Sequence, residues 1–565
     1  MAVLQYCLKP SKVNGYIDVE AEFACAGKET ELIFPAWRPG RYELGNFAKN
    51  VRNFSIESSG KLVEFTKTSK NRWLVKTAGL KSIKVSYRYF SRELNAGSTY
   101  VDSQFFYVNP VNILIYPANS EEQPCFVNLP FFKGLTYVGS LLFESGKLQA
   151  KSLHELFDSP FLFAKQTFSV KYSVEQTEFE VWFCGEFKVD EKKIVTDFEK
   201  FTTVQHKLFG SFPFAKYRFI NIILPYPTYH GVEHLSSTVI TLGPSTQLMD
   251  GLYTELLGIS SHELYHTWNV KSIRPTEMVP YDYSKENYTR MGYLTEGVTT
   301  YMGDKMLFAS GVFDLKQYLK ELELQLMKHF HNTGRLNYSI AESSFDTWLD
   351  GYVPGAYGRK VSIYTEGCLI AFLIDVFILE STQNEKSLND VMRYLYENFA
   401  QKGKGVTEHD FTEATKKISG KTPPVILNEF IKNKQDYTSY LKYSFNYIGI
   451  ELVEKKSTFF VEQLGMKIQS NKVLMVMEES TADGVGIEPG DELTSINRIK
   501  IDNAEDWLKY FKGEKVELSL LRNGNFRRIL IGLKPNKNQF YNYVLQVASK
   551  PGKRVEEAIQ AWKNK

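Results

Sequence analysis

The spacing of apolar residues switches from strand to helix period near Ser245, and that switch limits the fold more than any other feature. From residue 1 to about 165 the sequence runs in short alternating stretches, YIDVEAEF, ELIFPAW, KSIKVSYRYF and NILIYP, separated by Gly, Asn, Pro and Ser clusters. Period-two alternation bounded by turn residues predicts antiparallel strands with one buried face, so this part reads as a β-sandwich. Strands continue through TEFEVWFCGEF and KYRFINIILPYP. From Ser245 onward, TQLMDGLYTELLGISSHELYHTWNV carries its apolar residues at helical spacing, and further helices are expected in TEGVTTYMGDKMLFAS, FDLKQYLKELELQLMKHFH, YTEGCLIAFLIDVFILEST and LNDVMRYLYENFA. After the loop signal SGKTPP (Ser419 to Pro424) a third segment begins near Leu441. Between Phe459 and about Leu533 it holds a compact β-pattern with one expected helix at AEDWLKYF, and KRVEEAIQAWKNK ends the chain as a short amphipathic helix. The expected architecture is multidomain α+β, with units at 1–165, 166–440 and 441–545 and a helical tail at 546–565.

Composition narrows the partners. A chain of 565 residues is long enough for several hydrophobic cores. Its 68 Lys and Arg against 65 Asp and Glu leave a formal charge of +3, which gives no basis for a nucleic-acid partner. No run approaches 18 uninterrupted apolar residues, so no membrane span is expected. The 40 Phe and 34 Tyr suit sheet-rich domains. The five cysteines are scattered, odd in number and never paired as CxxC, which reads as ordinary thiols. MAVLQYCLKPSK lacks the basic and apolar regions of a leader, so the expectation is a cytoplasmic protein, or a periplasmic or secreted one if a leader was removed.

The residues that carry chemistry lie in HELYH. His262 and His266 stand four apart on an expected helix, so both imidazoles leave one face and can bind one ion, with Glu263 placed to act as general base on a metal-bound water. Residue types and spacing suit zinc, one ion per chain. A catalytic zinc needs a third protein ligand and an open position, and Glu296, at the start of the next expected helix, is the candidate. Thr300 and Asp304 lie further along that helix, either as hydrogen-bond partners behind the ligands or as ordinary helix residues.

HELYHTWNVKSIRP and PYDYSKENYTRMGYLTEGVTTY, together with FPAWRPGRYELGNFAKNVRNF, GVEHLSST, IYTEG and the C-terminal β-segment, resemble the glycyl aminopeptidase family, PDZ-containing relatives of aminopeptidase N and leukotriene-A hydrolase. The resemblance implies an N-terminal β-sandwich, a thermolysin-like catalytic domain with a helical half, a PDZ-like domain, and zinc held by His262, His266 and Glu296. It implies that Glu233 receives the substrate's α-ammonium group, with Gly231 and His234 as further substrate contacts, and that the Tyr364 hydroxyl donates to the oxyanion. Glu366 departs from the pattern, since relatives carry Lys there, which changes the local charge. Leu464, Gly465 and Met466 resemble the carboxylate loop of a PDZ domain, which would hold a C-terminal peptide ligand; the other reading is that this domain only packs against the cleft. The expected activity is removal of N-terminal residues, Gly or Ala first, from peptides with a free N-terminus. The competing readings are a zinc endopeptidase on the same core and a peptide-binding scaffold with a retired peptidase fold.

Overall fold

The computed structural model describes residues 3–565 except 131, 354, 423–425, 435, 458–459, 504–513, 533, 535 and 549–551. The expected helix at AEDWLKYF and part of SGKTPP therefore lie outside the described residues.

The N-terminal third is β-rich, but it is built of three sheets and not two. Eight strands form the largest sheet, in which Leu4–Pro10 lies between Tyr16–Ala24, antiparallel, and Cys125–Asn128, parallel. Along Tyr16–Ala24 alternate side chains are buried, as a strand with one wet face requires. Two four-stranded sheets complete this part. The segment after Ile33 leaves them to reach the next domain: Ala36 and Trp37 donate to the Tyr283 carbonyl at 2.8 and 3.1 Å, and the Trp37 ring packs on Tyr281 and Trp348. That crossing brings Gly40 to a cleft of the next domain and Tyr42 to Glu296 behind it.

A five-stranded sheet follows, in the order Thr167–Val174, Thr177–Gly185, Lys216–Ile223, Ser237–Gly243, Thr228–Glu233. Thr177–Gly185, Lys216–Ile223 and Ser237–Gly243 run parallel, the first crossover being made by the helix Glu191–Phe209, whereas the edge strand Thr228–Glu233 is antiparallel to its neighbour. An edge strand has unpaired backbone groups on one side, and here that side borders the cleft. Helices form the rest of the domain, among them Tyr253–Tyr265, Thr299–Ala309, Leu315–His331 and Ile363–Ser381. No helix among the described residues is long and apolar enough to cross a membrane.

One apolar core runs from this sheet through the helices, and it takes in the end of the chain. Trp562, on the helix Lys553–Asn564, is fully buried there, and its indole N–H donates to Tyr301 Oη at 2.8 Å. Tyr301 in turn donates to Asp375 at 2.6 Å; Asp375 also pairs with Lys305 at 2.5 Å and accepts from the Leu388 N–H at 2.8 Å. The terminal helix is thus part of this core, because its apolar stripe of Val555, Ala558, Ile559 and Trp562 has a face to cover.

The C-terminal unit hangs on a two-stranded ribbon, Ile450–Lys456 paired with Tyr541–Val547, which lies along Leu315–His331. Leu545 N–H donates to Glu323 Oε1 at 2.7 Å and the Tyr543 ring stacks on Phe330 at 3.7 Å. Between the ribbon strands is inserted a small antiparallel sheet, Met466–Gln469, Lys472–Val476, Glu492–Ile496, Lys515–Arg522 and Asn525–Gly532, with its own apolar core.

Candidate active site

The helix Tyr253–Tyr265 can lie close to Thr299–Ala309 because Gly303 has no side chain: a β-carbon there would stand 2.9 Å from His262 Cα. Ser261 Oγ, donating to the Gly303 carbonyl at 2.6 Å, pins the same crossing. The helix then presents His262 and His266 together, with their Nε2 atoms 3.0 Å apart and ring planes at 86°. His266 Nδ1 meets the Asn269 carbonyl at 2.7 Å, an arrangement that orients the ring and aims Nε2 at the cleft.

Glu296 enters on a π-helical turn, Tyr293–Val298, that precedes Thr299–Ala309. Its Oε2 lies 3.4 Å from His266 Nε2 and 3.9 Å from His262 Nε2. The other oxygen, Oε1, accepts from Tyr42 Oη at 2.6 Å, a partner 254 residues away in sequence that the N-terminal domain delivers. Gly297 backs directly onto Gly367 of Ile363–Ser381, where a β-carbon built on Gly367 would stand 2.6 Å from Gly297 Cα.

The donor set suits a divalent cation. Glu233, Glu263 and Glu296 are all buried around two imidazoles. Burial, with His266 adding to it, pushes His262 down to about 3, so that ring stays neutral. Burial opposes the charge on His266 as well, but the Glu296, Glu233 and Glu263 carboxylates outweigh it and raise His266 to about 10. Burial also drives the Glu263 carboxyl well above the usual range, with Glu233 and Glu296 adding to it. Three carboxylate side chains buried around two imidazoles suit a divalent ion, which would displace the proton that His266 otherwise holds. Two triads have ligand atoms within 4.8 Å of one another, His262/His266/Glu296 and Glu233/Glu263/His266. The first uses both imidazoles and leaves Glu263 and Glu233 free, which is the donor pattern of a three-ligand catalytic zinc.

These groups line a cleft of about 1100 Å³, together with Gly231, Tyr364 and the helix Leu315–His331. Gly231 is required by packing, since a β-carbon there would overlap Glu263 Oε1. Tyr364 stands on the cleft wall with its hydroxyl 3.3 Å from Tyr352 Oη. His234 is not among the cleft residues. It follows Glu233 on the opposite face of the chain, as strand alternation dictates, and its Nδ1 lies 3.2 Å from Asp158, which Lys271 also pairs at 2.7 Å. Its place as a substrate contact is therefore withdrawn. Thr300 Oγ donates to the Glu296 main-chain carbonyl and not to its carboxylate, and Asp304 lines the cleft away from the ligand atoms, near Gly258. Glu366 is buried against His329, at 2.7 Å, and the Tyr437 hydroxyl, and although burial alone would raise its carboxyl, these partners hold it below the usual range. The charge it brings is thus absorbed by neighbours of its own.

In the C-terminal sheet, Leu464 and Met466 are buried in the small core, and the N–H groups of Leu464 and Gly465 donate to the Val461 and Glu462 carbonyls at 3.2 and 3.0 Å. Two of the backbone donors expected to hold a peptide carboxylate are already used, because a short helical turn, Phe460–Gln463, ends there.

The model of the M61 glycyl aminopeptidase family matches residues 255–370, and that of the peptidase M61 N-terminal domain matches residues 6–165. The chain belongs to the peptidase M61 family. A crystal structure of an aminopeptidase N family protein from Idiomarina loihiensis superimposes on this M61 chain with a TM-score of 0.88 at 23% identity, covering 99% of both chains, and so has the same fold throughout. An M1 zinc metallopeptidase from Deinococcus radiodurans aligns with a TM-score of 0.49 at 12% identity, over 77% of this chain and 94% of that one. Native yeast LTA4 hydrolase aligns with a TM-score of 0.46 at 12% identity, over 78% and 67%. No curated protein matches the sequence. M61 membership and the donor cluster together support a metallo-aminopeptidase.

Sequence reasoning missed two groups around the M61 site. Tyr42, which fixes Glu296, and Asn269, whose carbonyl orients His266, carry no local signature. The trace of Tyr42 was its place in FPAWRPGRYELGNF, a conspicuously aromatic loop among strands.

Proposed function

We propose that this chain is a zinc-dependent aminopeptidase that hydrolyses the first peptide bond of substrates with a free N-terminus, with Gly or Ala preferred at that position. The observation that carries the reading is the convergence of His262 Nε2, His266 Nε2 and Glu296 Oε2, with Glu263 and Glu233 buried beside them and unused as ligands. His262, His266 and Glu296 would hold one zinc ion per chain, which would supply Lewis acidity to the scissile carbonyl and to a bound water.

The chain's own residues do the rest. Glu233, at the end of the edge strand, accepts the α-ammonium group in a charge-assisted bond, which limits cleavage to the first residue. The strand's free edge at Gly231 offers backbone groups to an extended peptide. The Glu263 carboxylate takes the proton of the attacking water and returns it to the leaving amine; its buried setting raises its basicity for that role. Tyr364 donates its hydroxyl to the carbonyl oxygen as negative charge develops there. The preference for Gly is supported by the family description, and Ala is added as the next smallest side chain. The C-terminal sheet is read as PDZ-like from its Leu-Gly-apolar element and the edge strand Met466–Gln469 that follows it.

Metal analysis combined with hydrolysis of Gly-, Ala- and Leu-anilides and of an N-acetylated peptide tests this. The expected result is stoichiometric zinc, fastest turnover of Gly or Ala, and none of the blocked peptide. Cleavage of the blocked peptide would make the enzyme an endopeptidase, and equal or Leu-favouring rates would remove the glycyl preference.

A further inference from the structure

The cleft does not end at the metal ligands. It continues along Leu315–His331, where Leu324, Gln325, Lys328 and His331 face it, and is closed on the far side by Lys467 and Met475 of the C-terminal sheet. His331 Nε2 meets the Tyr541 carbonyl at 2.7 Å, so that nitrogen carries the ring proton and donates; Nδ1 then has its lone pair free, and the Lys467 ammonium donates to it at 2.5 Å. The one carboxylate within 4.0 Å of Lys467 among the described residues, Glu462, stands off at 3.9 Å and accepts from Ser457 Oγ at 2.5 Å through its other oxygen. Lys467 is thus a half-buried cation aimed into a cavity with donor capacity left over. Lys328, one turn back on the helix, is exposed, and its charge acts on the Asp304 and Glu321 carboxyls without forming an ion pair within 4.0 Å among the described residues. Glu255, Asp304 and Glu321 line the same cleft, where burial raises the Asp304 carboxyl to about 8 and the Glu321 carboxyl above its usual range, with Lys328 opposing both shifts.

We propose that Lys467, braced by His331 and assisted by Lys328, forms a subsite for the C-terminal carboxylate of a short peptide, so that the C-terminal domain measures substrate length from across the cleft. This rests on the aminopeptidase reading. The dimensions fit. Thr365 Oγ donates to Gln325 Oε1 at 3.0 Å, which sets Gln325 level with the start of the helix that carries Tyr364. His331 is six residues further along its helix, an advance of about 9 Å. Two or three extended residues beyond the scissile bond cover about 7–10 Å, so tri- and tetrapeptides place their terminal carboxylate at Lys467. A longer chain must displace the domain or leave the cation unpaired.

The experiment compares kcat/KM for tri- and tetra-alanine as free acids, for the same peptides as C-terminal amides, and for alanine p-nitroanilide, in the full-length enzyme and in Lys467→Met. The wild type is expected to favour the acids over the amides about 10- to 100-fold, chiefly through KM, as a charge-assisted bond requires. Lys467→Met brings that ratio near one and leaves the anilide rate unchanged, and Lys467→Glu turns the preference toward the amides. Equal wild-type rates on acids and amides overturn the subsite while leaving the aminopeptidase reading intact, as does a preference that survives in Lys467→Met. Absence of turnover on all these substrates overturns the aminopeptidase reading and the subsite with it. If Lys467→Met also loses the anilide rate it has misfolded, and Lys328→Met then reads the same ratio, with a fall of a few-fold expected and no fall counting against the subsite.

Discussion

At the metal end of the cleft the polar side chains are buried and fixed by partners drawn from distant parts of the chain, His266 by Asn269 and Glu296 by Tyr42. At the far end Lys328 is exposed and Lys467 half-buried, and Lys467 meets His331 across a domain boundary. The difference follows the work each end is proposed to do. Bond-making chemistry needs atoms held before the substrate arrives, and burial supplies both the rigidity and the low dielectric that strengthen each interaction. Recognition of a peptide terminus tolerates solvated, adjustable groups, at the cost of weaker individual contacts.

The sharpest way to break the metal end is Glu263→Gln, which keeps the shape and removes the base. Turnover is expected to fall about 10²–10⁴-fold while zinc content by elemental analysis stays the same. Next is Asp375→Ala, which strands Lys305, fully buried on the helix that continues from the Glu296 turn. Denaturant unfolding should show a loss of about 3–5 kcal/mol, the cost of an unpaired buried charge. Tyr42→Phe frees one oxygen of Glu296, and metal competition with a chelator should show affinity weakened about 10- to 100-fold, far more than any effect on folding. The smallest effect belongs to the far end. Arg522 grips Asp491 through two bonds of 2.7 Å and Glu488 through one of 2.6 Å, within the small sheet. Arg522→Ala should cost about 1–2 kcal/mol, confined by hydrogen exchange to residues of that sheet, with anilide turnover unaltered.

The parts of the site that were legible in the sequence are those whose geometry is local. Four-residue spacing on a helix is enough to put His262 and His266 on one face, and Glu263 beside them, whatever the rest of the fold does. Tyr42 and Lys467 were not legible because their positions are set by tertiary structure: one arrives on a loop from the first domain and the other on a strand from the last. His234 shows the opposite error. It shared a motif with Glu233, yet adjacent residues of an extended chain point to opposite sides, so the two could not both face the cleft. The β-to-helix switch near Ser245 was readable from periodicity alone. The number of sheets in the N-terminal domain was not, because the parallel pairing of Leu4–Pro10 with Cys125–Asn128 joins segments more than a hundred residues apart.

The back-to-back placement of Gly297 and Gly367 has an effect on how this site can evolve. One glycine sits directly after Glu296 and the other three residues after Tyr364, so the proposed metal ligand and the proposed oxyanion donor ride on two helical segments welded at their backbones. Neither can be retuned by itself: any side chain inserted at that weld would pry both apart at once, and drift toward other chemistry must therefore begin elsewhere on the cleft wall.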